Sequence, residues 1–303
     1  MKFDLVVIGH IMKEIIKFPD REIGPVLGSP AAYSSVAAGV LGARTGIVTV
    51  IGKDMPDFLI NPIVEANVDT KGIKLKDCCT RTTILTYDCV GNKKVSYLRI
   101  PPNIIFDDIP KCYLNAPAFF ICPMDFEVPI ETINEFKKNR IIMTDLGGYG
   151  GTVSTFHPDK DNLASEDIVK DIVSRFNIVK ASVEDCIYLF PSLNNEKDYL
   201  YKLLDMGPEV VIITLGKSGS IISDHNKVFE IPAFKTDVKD TTGAGDVFCA
   251  AFLLEWLRTE NLYKSGIYAS AASSIVVEKS GGVIVNRMPT DKGVRERIRS
   301  LSN

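Results

Sequence analysis

Short apolar runs rich in β-branched residues alternate along the chain with longer segments of helical period. The apolar runs predict strands at 5–9, 45–51, 118–121, 140–144, 178–179, 210–214 and 221–223. The segments between them predict helices at 31–41, 58–66, 128–138, 165–174, 183–190, 196–206, 245–258, 262–278 and 292–300. Continuous apolar strands separated by helices are typical of a mostly parallel sheet covered on both faces, so the pattern predicts an α/β fold.

Two segments interrupt this alternation. Residues 11–18 continue past the first strand as a second extended stretch, and residues 82–100 predict a hairpin with its turn at 91–93. Alternation gives the hairpin one face to bury, formed by Thr83, Leu85, Tyr87, Val95 and Tyr97. We expect one domain over residues 1–303 in which these two segments form a small β lid that excludes water from a cleft.

Composition narrows the class of protein. The chain has 303 residues, of which 46% are hydrophobic and 24% charged, as in an ordinary globular enzyme. A formal net charge of −3 gives no electrostatic footprint for nucleic acid or an anionic membrane, and no apolar run is long enough to span a bilayer. Seven Cys without metal-ligand spacing and three scattered His argue against a metal site or a Ser-His-Asp triad. We therefore expect a cytoplasmic protein with reduced thiols and no signal peptide.

A glycine-rich loop at 240–246 carries the clearest chemical signal. It reads Asp240-Thr241-Thr242-Gly243-Ala244-Gly245-Asp246 and feeds directly into an apolar helix. Backbone N–H groups at a helix start bind anions, and Asp246 places a carboxylate beside them. That pair is what phosphoryl transfer to a hydroxyl needs, with the carboxylate orienting the hydroxyl and taking its proton.

The alternative for this loop is a tight turn whose acidic residue stabilises the helix start by about 0.3–1 kcal/mol. The helix is apolar on all sides and so predicted to be buried, where an unpaired carboxylate is costly unless it faces a polar cleft or ligand. The predicted burial of this helix therefore favours a ligand-binding role for the 240–246 loop over a purely structural turn. We expect the helix dipole to lower the pKa of Asp246 and keep it ionised.

Two further segments are candidates for ligand contact. The strand at 210–214 ends in Gly216-Lys217-Ser218-Gly219, which can be a ligand loop at a strand end or only a hairpin turn. Small residues at 28–39 begin a helix and permit close approach either of a ligand or of the sheet.

With these motifs the chain resembles the ribokinase-like family of sugar and nucleoside kinases. The closing signature, 240–248, is the most specific, and Leu41-Gly42-Ala43 with Ile51-Gly52-Lys53-Asp54 also resembles the family's N-terminal segment. The resemblance covers essentially the whole chain. It implies a three-layer α/β/α fold with a mostly parallel central sheet and a β lid, ATP as phosphoryl donor, and Mg²⁺ on the phosphates.

The resemblance also implies roles for individual residues. Asp246 matches the catalytic base, and the anion hole matches Gly243, Ala244 and Gly245. The nucleotide-binding positions are Thr214, Gly216, Lys217, Gly219, Ser273 and Gly281. Ser182 and Asp185 stand where the family often has Asn-x-x-Glu, so Glu184 and Asp185 would act on the metal through water; the alternative is that both acids only stabilise a helix start.

The acceptor side departs more from the family. Glu14 stands where sugar kinases usually carry Asp, and the family's Gly-Gly and Asn become Gly28-Ser29 and Tyr33. Asn103, after the hairpin, matches a position of the family. Arg99 and Asp145 are further candidates for the cleft, with a solvated arginine and a strand-end aspartate as the alternatives. The Lys-Ala-Ser-x-Glu pattern at 180–184 and the aromatic Tyr33 resemble the inositol-kinase branch.

We therefore expect an ATP-dependent kinase acting on a hydroxyl of a small sugar or polyol, with a nucleoside as the alternative acceptor. The family often pairs through the lid, which implies a homodimer. A rival of another class is a non-catalytic small-molecule sensor on the same fold, against which the intact 243–246 motif argues. A dinucleotide-binding oxidoreductase is excluded because Gly9-His10-Ile11-Met12 lacks the glycine pattern after the first strand.

Overall fold

The computed structural model describes residues 2–87, 93–154 and 166–300. Its strands are, in chain order, β1 Leu5–Ile8, β2 Met12–Lys17, β3 Glu22–Gly28, β4 Thr45–Ile51, β5 Asp69–Leu75, β6 Arg81–Tyr87, β7 Lys93–Arg99, β8 Ala118–Ile121, β9 Ile141–Asp145, β10 Ile178–Ser182, β11 Val210–Thr214, β12 Ser220–Ser223 and β13 Val228–Ile231. Its α-helices are α1 Pro30–Val40, α2 Asn61–Glu65, α3 Ile130–Asn134, α4 Glu166–Val173, α5 Val183–Leu189, α6 Glu196–Leu204, α7 Ala244–Thr259, α8 Leu262–Val276 and α9 Asp291–Arg299.

Nine strands form the central sheet, in the order β13-β12-β11-β10-β9-β8-β1-β4-β5. The seven strands from β11 to β5 are parallel to one another. Strand β12 pairs antiparallel with β11, and β13 pairs antiparallel with β12, so β13 runs in the same direction as β11. Alternate residues of each parallel strand enter two separate cores: Leu5 and Val7 pack with α1, α7 and α8, whereas Val6 and Ile8 face α4 and α6. The sheet is therefore the middle of three layers, which confirms the predicted α/β class.

The second sheet contains four strands in the order β3-β2-β6-β7. Strand β2 pairs antiparallel with β3 and parallel with β6, and β6 pairs antiparallel with β7, so the predicted hairpin is present. Its predicted turn lies largely outside the described residues. One face is buried at Thr83, Leu85 and Tyr97, as the alternation predicted. We call this the small sheet.

Sequence patterning missed the strands β3, β5 and β13. All three lie at sheet edges, where one side of the strand has no partner and polar residues are tolerated. Strand β3 also contains Gly24-Pro25, a pair that normally indicates a turn. The predicted helices at 58–66 and 128–138 are shorter than expected, since they reduce to α2 and α3. Within the described ranges, no helix is long and apolar enough to cross a membrane.

Candidate active site

The start of α7 forms the turn expected of an anion site. Gly243 caps the helix with a φ of 82°, and Asp246 lies in the first turn. First-turn amides have no acceptor within the helix, and the helix dipole adds positive charge there. The Ala244 amide donates to the carbonyl of Thr241 at 3.1 Å. The sequence predicted that the amides of Gly243, Ala244 and Gly245 form an anion hole. The Ala244 amide is already bonded to Thr241, so the amides of Gly243 and Gly245 are the candidates for binding an anion.

Asp246 stays partly accessible, as contact with a substrate requires. Burial of its surroundings raises the pKa of the carboxyl to about 7, helped by the negative Asp145 and opposed by the positive Lys180. The expectation that the dipole keeps this pKa low is wrong, because a dipole effect of about 0.3–1 kcal/mol is smaller than the desolvation of a buried carboxylate. A pKa near neutrality suits a general base.

Lys180 is a site residue that the sequence interpretation overlooked. It pairs in register with Asp145 on the neighbouring strand, and its Nζ lies 2.8 Å from Asp145 Oδ2. The same Nζ faces Gly245, where a β carbon would come within 3.4 Å of it. Burial alone would lower the pKa of Lys180, but the charge and hydrogen bond of Asp145 together with the nearby Asp185 and Cys249 raise it, so the ammonium stays charged. A buried cation therefore lies against the anion-binding turn.

The predicted metal-linked carboxylates do not fit that role. Asp185 Oδ1 accepts from Thr152 N at 2.9 Å and Thr152 Oγ1 at 2.8 Å, while its Oδ2 accepts from Ser182 N at 2.8 Å and Ser182 Oγ at 2.6 Å. Four donors use the lone pairs of one carboxylate, so none remains for a metal or its water. Ser182 and Asp185 form a capping box at the start of α5, and Glu184 is exposed.

The described residues contain no group of three or more His, Cys, Asp or Glu side chains that could hold a metal ion. Asp185 instead stabilises the start of α5, which is the alternative that the sequence left open for it.

Four of the predicted nucleotide positions lie at or just after the carboxyl end of β11, the strand next to the one that carries Lys180. Thr214 ends β11 directly opposite Ser182 of β10. Gly216 and Gly219 follow it with φ of 56° and 94°, which keeps the turn tight, and Lys217 between them is exposed. Two further positions come from the C-terminal third: Ser273 Oγ donates to Ala244 O at 2.8 Å, and Gly281 is exposed with a φ of 120°. Of these positions, Ser273 contacts the 240–246 loop directly through Ala244, whereas Thr214 lies beside Ser182.

Glu14 and Gly28 of the acceptor set come together on the small sheet. A β carbon at Gly28 would lie 3.2 Å from Glu14 Oε2, so the carboxylate rests against this glycine. Ser29 follows, but its Oγ accepts from Ala32 N at 3.1 Å as the cap of α1, and the residue is 3% exposed. Arg99 is the last residue of β7, Asn103 follows that strand, and both are exposed.

Tyr33 does not face the cleft as expected. Its ring lies against Gly243, where a β carbon would come within 2.3 Å of Tyr33 Cδ1. Its hydroxyl accepts from Arg287 Nη1 at 3.0 Å, and the residue is 3% exposed. Tyr33 is therefore a support beneath the anion-binding turn rather than an acceptor ligand.

A buried charged cluster joins the small sheet to the body. Arg81 Nε donates to His10 Nδ1 at 3.2 Å, and Arg81 Nη2 lies 3.5 Å from Glu127 Oε2. His10 Nε2 lies 3.1 Å from the carbonyl of Pro102, which fixes a neutral tautomer with the proton on Nε2. Burial is the main cause that lowers the pKa of His10 to about 4. We call His10, Arg81 and Glu127 the hinge cluster.

The C-terminal half of the chain, which carries most of this site, matches a known family. The profile of the pfkB family carbohydrate kinases matches residues 159–290, a segment that holds Lys180, the 214–219 turn and the 240–246 loop. The chain carries a pfkB family carbohydrate kinase domain. Members of this family are kinases, so the ribokinase-like resemblance is confirmed.

Relatives and solved structures extend the likeness beyond the pfkB segment. The chain is 27% identical over 260 residues to the cytidine kinase of Thermococcus kodakarensis, covering 84% of this chain and 89% of that one. It superposes on the nucleoside kinase of Methanocaldococcus jannaschii with a TM-score of 0.77, at 22% identity and 99% coverage of both chains. The structure of Arabidopsis thaliana ribokinase complexed with ribose and ATP superposes with a TM-score of 0.82, at 20% identity and 99% coverage of both chains. These structures share the fold, and the pfkB domain makes the chain a carbohydrate or nucleoside kinase.

Proposed function

We propose that the chain transfers the γ-phosphoryl group of ATP to a hydroxyl of a small sugar or polyol. The observation that carries the proposal is the position of Asp246 in the first turn of α7, beside the amides of Gly243 and Gly245. The Lys180 ammonium faces Gly245 from the sheet edge. A base for the hydroxyl and positive groups for the phosphoryl group therefore stand side by side.

The geometry supports a direct transfer. Asp246 accepts the proton of the acceptor hydroxyl while the hydroxyl oxygen forms a bond to the γ-phosphorus. The bond from that phosphorus to the bridging oxygen breaks, and ADP leaves with its electron pair. The amides at 243 and 245 and the Lys180 charge stabilise the oxygens of the phosphoryl group in transit. In such a loose transition state, position matters more than the strength of the base.

The donor side is supported by residues at the same sheet edge. The turn at 214–219 offers glycines at positive φ and the exposed Lys217. The Arabidopsis ribokinase, which shares the fold, was solved with ATP. Magnesium, when bound, neutralises phosphate charge; it binds to phosphates while keeping several waters, which agrees with the lack of a metal cage among the described residues.

A sugar or polyol acceptor is supported by Glu14. Its carboxylate lies on the inner face of the small sheet against Gly28, and two hydroxyl groups of an acceptor can donate to its oxygens. Covering the acceptor with the small sheet would exclude water, which is the competing nucleophile. We extend the proposal to a homodimer formed through this sheet, because Leu98 on β7 and Ile100 directly after that strand are 55% and 49% exposed.

A nucleoside is the second candidate acceptor, and one observation favours it. Met12, Tyr97 and Met124 form a small buried apolar cluster under the small sheet. An aromatic ring and two thioethers suit the flat face of a base better than a ring of hydroxyls. The cytidine kinase and nucleoside kinase named above have the matching activity.

A coupled assay of ADP release tests both candidates. ATP and Mg²⁺ are offered with a panel of hexoses, inositols and nucleosides, and the Asp246→Asn variant serves as the blank. Release with a hexose or inositol supports the first proposal, and release only with nucleosides replaces it by the second. No release with any of them, from protein that binds ATP, overturns the enzyme proposal in favour of a sensor.

A further inference from the structure

Arg287 is a fully buried arginine whose donors are all used. It lies in the turn Val285–Arg287 before α9 and is 0% exposed. Its Nε donates to Val276 O at 3.1 Å. Its Nη1 donates to Tyr33 Oη at 3.0 Å and to Gly282 O at 3.1 Å, and its Nη2 donates to Asp240 O at 3.0 Å and Thr242 O at 2.8 Å. The five N–H groups of the guanidinium therefore each have an acceptor.

These partners come from the segments that build the candidate active site. Asp240 and Thr242 belong to the anion-binding loop, and Asp240 Oδ2 also lies 3.3 Å from Nη2. Gly282 adjoins the predicted nucleotide position Gly281, and Tyr33 belongs to α1 and packs against Gly243. One side chain thus connects three parts of the cleft that are far apart in sequence.

The hydrogen bond from Arg287 to the Thr242 carbonyl determines which way the next amide, that of Gly243, points. The peptide unit that joins Thr242 to Gly243 is planar and trans, so its C=O and N–H point in opposite directions. Because the Thr242 carbonyl is turned onto Arg287 at 2.8 Å, the Gly243 N–H points away from Arg287. Arg287 therefore sets the direction of an amide that the proposed mechanism aims at the phosphoryl group.

We propose that Arg287 is a positioning residue of the phosphoryl-transfer site, holding the 240–243 loop so that the Gly243 amide faces the cleft. This inference rests on the proposed kinase function. Arg287 touches neither acceptor nor donor in this role. It acts through the carbonyls of Asp240 and Thr242 and through the Tyr33 ring beneath Gly243.

The test compares Arg287→Lys with Glu255→Gln. The lysine variant keeps the charge but cannot reproduce the five-donor fork, whereas Glu255 is a buried charged residue at the far end of α7, paired with Arg295. We expect Arg287→Lys to lower kcat by at least about tenfold, since one misdirected oxyanion donor has effects of that order or larger, with little change in the KM of the acceptor. Glu255→Gln is expected to lower the melting temperature without that loss of kcat.

Rescue and exchange measurements make the result independent of folding defects. Guanidinium chloride at low millimolar concentration should partly restore kcat to Arg287→Ala, whereas tetramethylammonium chloride at equal ionic strength should not. If Arg287→Lys does not fold, Tyr33→Phe, which deletes one acceptor of Nη1, should show a smaller loss of kcat in the same direction. A kcat within about twofold of wild type in the folded variant, where a misdirected donor should have a larger effect, overturns the inference. So does an equal loss of kcat in Glu255→Gln.

Hydrogen exchange of the ligand-free protein separates this inference from the proposed function. Amides of 240–246 should exchange faster in Arg287→Lys than in wild type, whether or not any acceptor is phosphorylated. Wild-type protein that releases no ADP refutes the proposed function alone. Unchanged exchange in this loop refutes the positioning role alone.

Discussion

Lys180 Nζ lies 2.8 Å from Asp145 Oδ2, and the same atom faces the α carbon of Gly245. The ion pair joins Asp145, the last residue of β9, to Lys180, which lies two residues before the end of β10. Ligands of α/β folds bind near these carboxyl ends of the parallel strands. The Lys180 ammonium therefore belongs both to the sheet edge and to the turn that begins α7. This places a fixed positive charge close to Asp246 and lowers the pKa that burial raises.

Replacing Lys180 by Met should move the acid limb of the pH–rate profile upward. Loss of a nearby positive charge favours the protonated form of Asp246, so its pKa of about 7 rises further. We expect a shift of about one pH unit or more in kcat/KM, together with a fall in kcat at pH 7. Lys202→Met, at a partly exposed lysine on α6, is the matched control and should leave the profile unchanged. An acid limb that stays in place in Lys180→Met contradicts the assigned electrostatics.

The sequence predicted the central strands well because their signal is local. Runs such as 45–51 and 210–214 are dominated by Val and Ile, as expected of strands buried on both faces. Edge strands such as β3 and β13 carry no such run, because their positions depend on neighbours that are distant in sequence. The 240–246 loop also gave a local signal, because its glycines allow the positive φ that the turn before α7 requires at Gly243.

The supporting residues of the site were not predictable in the same way. Lys180 gave one weak signal, a charged residue within the apolar run of β10. Arg287 gave none, because its partners lie 5 to 254 positions away in sequence and only the fold assembles them. Tyr33 was assigned to the acceptor from its alignment with a ligand position, but the ring turns toward Gly243 instead. The sequence assigned the chemistry to the 240–246 loop, and only the fold shows that Lys180, Tyr33 and Arg287 contact this loop.

Gly243→Ala should abolish most activity. A β carbon there would come within 2.3 Å of the Tyr33 ring, and the residue has a φ of 82°. The loop must move, so we expect kcat to fall by at least about tenfold, as for loss of an oxyanion donor.

Gly42→Ala is the control for backbone strain alone. Its φ is 90°, but a β carbon there meets nothing within 4 Å. The Gly42→Ala variant should lower the free energy of unfolding, measured by chemical denaturation, by about 1–2 kcal/mol and leave kcat unchanged. Equal kcat values for the two variants would show that the Tyr33 contact does not matter.

Asp185→Asn should weaken folding without changing the magnesium dependence. Burial raises the pKa of Asp185, but Lys180 and hydrogen bonds from Ser182 and Thr152 outweigh it and hold the pKa below its usual value. Such a carboxylate contributes stability at neutral pH that is lost as the pH falls below about 4. We expect a loss of about 1 kcal/mol at pH 7 that disappears in strong acid, measured by urea unfolding. A rise in the Mg²⁺ concentration needed for half-maximal rate would restore the metal-linked role that the structure argues against.

Glu127→Gln should destabilise the join between the small sheet and the body. Glu127 is 1% exposed and is the carboxylate that faces the buried Arg81. Removing one partner of a buried ion pair typically costs about 3–5 kcal/mol. Glu278→Gln, which breaks the more exposed pair with Arg297, should cost less than about 1 kcal/mol. Similar unfolding free energies for the two variants would refute a structural role for the hinge cluster.

The assignment of Asp246 as the base is tested most directly by the pH dependence of kcat/KM in wild type and in Asp246→Asn, with ATP binding measured in parallel by calorimetry. Wild-type activity should rise with pH through a single step near 7, following the carboxyl pKa. Asp246→Asn should bind ATP as wild type does and lose about 10²–10⁴-fold or more in kcat at every pH. Undiminished turnover in Asp246→Asn, or a wild-type rate with no such step, would contradict the assignment.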